Sequence, residues 1–94
     1  MANLRILKKK IDYCLEEVLF DCNMAICLQP KKGQEILDLI KEAVNTRNSL
    51  YAKANNPAEP KNRSLVRKHY AALHAEMEDA LEATFEKLSA IIEG

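Results

Sequence analysis

The chain has no tryptophan, and only 5% of its 94 residues are aromatic. With so few rings among its cations, a nucleic-acid surface built on base stacking is not expected. Glycine occurs twice and proline three times, so little interrupts a helix, and abundant Ala, Leu, Glu and Lys favour one almost everywhere. Long apolar runs are also missing. The longest, residues 24–28, is far too short to cross a bilayer, and residues 1–10 lack the continuous hydrophobic stretch of a signal peptide. Cys14, Cys22 and Cys27 are odd in number, at spacings of eight and five that suit neither a CxxC pair nor a zinc site, so all three are expected to stay reduced. The expectation from these absences is a soluble, cytoplasmic protein with no membrane association.

What is present is an apolar pattern at three- and four-residue steps, which predicts one all-α domain spanning residues 1–94. Leu4, Leu7, Ile11, Cys14, Leu15, Val18, Cys22 and Ala25 form the stripe of a first helix, over residues 3–28, with Asn3 as its N-cap. Gln29-Pro30-Lys31-Lys32-Gly33 breaks it. Proline cannot continue the hydrogen-bond ladder and glycine offers a turn, so an antiparallel second helix is expected over residues 34–54. Its stripe reads Ile36, Ile40, Ala43, Val44, Arg47, Leu50, Tyr51 and Ala54. Residues 55–62, with two prolines and three asparagines, read as an irregular connection in which Asn62 or Ser64 caps the third helix. That helix holds its register over residues 64–92 through Val66, Tyr70, Leu73, Met77, Ala80, Leu81, Thr84, Leu88 and Ile91, a length of about 42 Å. The fold expected is an up-down-up three-helix bundle with a long C-terminal helix that can overhang its neighbours. A chain of this length buries roughly 60% of its unfolded surface, enough for a single modest core.

The formal net charge is zero, yet an up-down-up arrangement separates the charges into two poles. Residues 1–12 and 45–70 carry ten cations against two anions, whereas the remainder carries four cations against twelve carboxylates. Such a dipolar rod orients partners. At the basic pole, Lys8, Lys9, Arg63, Arg67 and Lys68 form a candidate patch for an acidic protein partner or, with steep salt dependence, for weak nucleic-acid binding. Arg63, Arg67 and Lys68 oppose the helix dipole, and the patch is either a docking surface for an anion or acidic protein or simply a solvated helix end.

Three further features stand apart from the core stripes. A second apolar line, Ile6, Tyr13, Phe20, Met24 and Cys27, lies about 140° to 180° around the first helix from Ile11 and Val18. It serves either as a homodimer interface or as a second packing face under an overhanging third helix or a folded-back connection. Arg47 stands inside the second helix's apolar stripe, where an unpaired guanidinium is costly, so a buried ion pair with Glu17 or Glu76 is expected, with the Tyr70 hydroxyl as a further partner. The segment from Arg63 to His69 matches the Arg-x(4 to 6)-His spacing of HEPN-type ribonucleases, but the polar residue that usually accompanies it is absent.

No metal or cofactor site is read from the sequence. His69 and His74 are five apart and point to different sides of a helix, while Glu76, Glu78, Asp79, Glu82 and Glu86 spread over an outer face with no loop to wrap an ion. Cys14 and Cys22 lie on the core side, leaving Cys27 accessible and without a neighbouring base to activate it.

The strings Leu4-Arg5-Ile6-Leu7-Lys8-Lys9-Lys10-Ile11-Asp12-Tyr13, Glu42-Ala43-Val44-Asn45-Thr46-Arg47-Asn48, Val66-Arg67-Lys68-His69-Tyr70 and Phe85-Glu86-Lys87-Leu88-Ser89 resemble a family of short, uncharacterised helical proteins from Bacteroidetes-type bacteria. The resemblance implies a bacterial cytoplasmic protein and carries over no activity, cofactor or site residue. The expectation is a non-enzymatic, self-associating interaction module. The alternatives are a weak nucleic-acid-binding module and, more remotely, a HEPN-like ribonuclease.

Overall fold

Apolar residues at helical spacing carry the chain through three α-helices in the computed structural model, which describes residues 4–57 and 59–94. They are α1 (Leu4–Leu28), α2 (Gly33–Asn55) and α3 (Arg63–Glu93). No strand occurs among the described residues, and no helix is long and apolar enough to cross a membrane. The expected N-cap Asn3 lies outside the described residues, as does Ala58 in the second connection.

Chain reversal after α1 depends on proline rather than on glycine. Gln29 leaves the helical region with φ −135° and ψ 71°, and Pro30 opens a single 3-10 turn, Pro30–Lys32. Gly33 is itself helical, at φ −54° and ψ −40°, and begins α2. The glycine expected to make the turn therefore makes none; Pro30, which cannot donate to the α1 ladder, ends that helix. At the other end, Asn62 caps α3, its side chain accepting from the Leu65 amide at 3.2 Å, a role the sequence left open between Asn62 and Ser64. Asn56 closes α2 by donating from its side chain to the Ala52 carbonyl at 2.8 Å.

The up-down-up order packs a rod of 51 × 18 × 18 Å with two core clusters along its length. Nearer the chain reversal, Val18, Cys22 and Ala25 of α1 meet Ile36, Leu39 and Ala43 of α2 and Leu88 of α3. Towards the other end, Leu7 and Ile11 meet Leu50 and Ala54 of α2 and Leu73 and Met77 of α3. α3 is continuous and the longest element, and its C-terminal end is held by Lys32 Nζ, which donates to the Ile91 carbonyl at 2.5 Å. Its first two turns, before Tyr70, contribute to neither cluster and extend past them.

The buried sector of α2 is rotated from its expected position: Leu39 is buried and Val44 is exposed. Two neighbours bound this sector. Tyr51 and Arg47 mark the edge against α1, and Lys53, paired with Glu76 at 2.7 Å, marks the edge against α3. Leu39 falls between those edges, and Val44 falls past the first.

Candidate functional site

The second apolar line of α1 is open. Ile6 and Met24 are each 50% exposed, Tyr13 63% and Phe20 67%, and Cys27 is exposed as well. Neither α3 nor the described part of the second connection covers these side chains, so the packing alternative does not hold among the described residues. The geometry follows from spacing. Seven-residue steps drift only about 20° on a helix, so Ile6, Tyr13, Phe20 and Cys27 stand in one row about 32 Å long. Leu28, one turn beyond Met24 and 77% exposed, extends the row; its place four residues after Met24 was the signal for it in the sequence. Lys9 and Glu16 border the row on one side and Lys10 and Glu17 on the other; all four are exposed and unpaired among the described residues.

The expected basic patch is only partly assembled. Lys9, Arg63, Arg67 and Lys68 are exposed at the same end of the rod, but Lys8 is half-buried, with Nζ 5.4 Å from the centre of the Tyr51 ring. Arg67 and Lys68 are successive residues and so point about 100° apart. Arg63 and Arg67, four apart, share one side of α3 while Lys68 points to another, so the cations do not form a single face.

Arg47 does find a carboxylate, but neither of those expected. Its Nε donates to Asp12 Oδ1 at 3.1 Å, and its guanidinium lies 3.8 Å above the Tyr51 ring, while Nη1 donates to Asn48 Oδ1 at 3.0 Å. Tyr51 completes the group by donating to Asp12 Oδ2 at 2.6 Å. Helix register explains the correction. The level of Arg47 meets α1 at Asp12, which faces the α2 seam, whereas Glu17, five residues further on, points about 140° away to the outer edge. Glu76 is occupied by Lys53, and Tyr70 packs against the core cluster of Leu7, Ile11, Leu50 and Ala54. The pair is also not buried: the Arg47 side chain is 33% exposed and that of Asp12 45%. The hydrogen bond from Tyr51, then that from Arg47, lowers the Asp12 pKa, outweighing desolvation, and burial together with the same Asp12 contact raises that of Tyr51.

Arg63 and His69 do not form a shared site. The groove at Arg63 is lined by residues 59–64, whereas His69 Nε2 lies 2.6 Å from the Lys53 carbonyl, an acceptor that fixes the proton on that nitrogen. His74 meets Glu78 at 3.5 Å along α3. No group of three or more His, Cys, Asp or Glu that could hold a metal occurs among the described residues. Cys22 is buried and Cys14 half-buried, with both thiol pKa values raised, mainly by burial.

No protein-family model matches the chain, and neither a curated protein nor a solved structure matches it. The fold and these surfaces define a small helical bundle with two core clusters and an open apolar row on one helix.

Proposed function

We propose that this chain is a non-enzymatic interaction module of the bacterial cytoplasm that self-associates through the outer face of α1. One observation carries the reading: Ile6, Tyr13, Phe20, Met24 and Cys27 stay exposed although α1 already supplies the bundle core from its opposite side. An aligned row of large apolar side chains with charged borders is the composition of a protein interface, with an apolar centre and a polar rim. A homodimer with antiparallel α1 helices also sets the basic pole of each rod beside the acidic pole of the other, which favours that direction over the parallel one.

Sedimentation equilibrium tests the reading. The wild type is expected to be a dimer at tens of micromolar and Phe20→Glu a monomer with unchanged helicity. A monomeric wild type, or a dimeric Phe20→Glu, removes this face from consideration. The exposed cations at the basic end support a second, weaker role in docking an acidic protein or, in low salt, nucleic acid; binding to a polyanion that persists in high salt would contradict it.

A further inference from the structure

Resting on that self-association, we infer that the two copies pair about a two-fold axis at Tyr13, so that Tyr13 meets its own equivalent and Ile6 meets Phe20 of the second copy. Charge placement along the row selects this register.

A two-fold axis that makes two helices antiparallel keeps each edge of the row facing the same edge of the other copy. Lys9 and Glu16 share one edge and Lys10 and Glu17 the other, because residues seven apart differ by only about 20° around a helix. With the axis at Tyr13, Lys9 lies four residues before it and Glu16 three after, so Lys9 faces Glu16 of the second copy with an offset of about 1.5 Å along the helix. Lys10 and Glu17 match in the same way. Symmetry doubles the two contacts to four, and none of these side chains is committed to an ion pair among the described residues.

Other registers lose this match. Setting Tyr13 against Phe20 covers the whole row down to Cys27, but it places the axis between Glu16 and Glu17 and gathers four carboxylates around it. Setting Phe20 against itself carries Lys9 and Lys10 past Leu28, where α1 ends, so neither meets a carboxylate of the second copy's α1. Like charges side by side in a partly desolvated contact oppose the first arrangement, and the second has no charge match to favour it. The Tyr13 register gives up Met24 and Cys27, which lie beyond its three apolar layers.

Disulfide trapping reads the register directly in the full chain, on a Cys27→Ser background that leaves the inward-facing Cys14 and Cys22 in place. Under mild oxidation, Tyr13→Cys is expected to form a covalent dimer, while Phe20→Cys and Glu17→Cys stay mostly monomeric in denaturing gels. Charge reversal gives an independent reading. Lys9→Glu/Lys10→Glu and Glu16→Lys/Glu17→Lys should each self-associate about tenfold more weakly than wild type or worse, and an equimolar mixture should recover a heterodimer within about threefold of wild-type affinity. Trapping at Phe20 or Glu17 instead of Tyr13, or charge reversals without effect, would overturn the register and leave self-association standing. A monomeric parent chain would overturn both.

Discussion

Between the two core clusters the bundle has a waist, and its packing defect can be tested quantitatively. A cleft of about 40 Å³ lies there, bordered by small side chains including Ala43, Ala80, Thr46 and Thr84. Both hydroxyls are already used within their own helices: Thr46 donates to the Glu42 carbonyl at 3.0 Å and Thr84 to the Ala80 carbonyl at 2.8 Å. Apart from these hydroxyls and the Arg47 guanidinium at its edge, already paired with Asp12, the lining is apolar, and an apolar side chain should fill the cleft. At about 24 cal/mol per Å³, filling it is worth about 1 kcal/mol. An independent count agrees. The three carbons added by Ala80→Leu contribute up to about 2.4 kcal/mol, less about 0.5 to 1 kcal/mol of side-chain entropy, with little change in helix propensity. In a domain of this size 1 kcal/mol raises Tm by roughly 4 to 8 °C. Thermal melts followed by circular dichroism would measure it, with Ala83→Leu on the exposed side of α3 as a control expected to stay within about 0.5 kcal/mol of wild type. A Tm for Ala80→Leu lower by several degrees would refute the reasoning, because it would mean that the waist is too rigid to admit the side chain.

Tyr51→Phe should cost about 1 kcal/mol in urea unfolding at neutral pH, since it removes a hydrogen bond to a part-exposed carboxylate. The folded-state pKa of Asp12 is lowered, so its contribution is full above the unfolded value of about 3.9 and is lost as pH falls through the folded value; the gap between wild type and Tyr51→Phe should narrow below about pH 4. Iodoacetamide should modify Cys27 well before Cys14 or Cys22 in the folded protein, as read by mass spectrometry; equal rates would contradict the burial of the other two. Purified protein should not cleave RNA, and cleavage lost in His69→Ala would reverse the non-enzymatic reading.

The number of helices, their order and their approximate ends were legible in the sequence because each follows from local chemistry: apolar steps of three and four, Pro30 after α1, and a connection rich in proline and asparagine closed by the Asn62 cap. The outer row of α1 was legible for the same reason, since a seven-residue spacing opposite Ile11 and Val18 is a property of one helix. The partner of Arg47 was not. Its stripe position required a counter-charge, but choosing Asp12 over Glu17 or Glu76 depends on how far α1 and α2 slide against each other, and a slide of one turn changes every cross-helix neighbour. The same holds for Leu39 and Val44, whose burial was decided by where α1 and α3 sit around α2, and for the basic residues, which share an end of the rod but not a face. Helical periodicity fixes what each helix presents; only tertiary packing fixes what it is presented to.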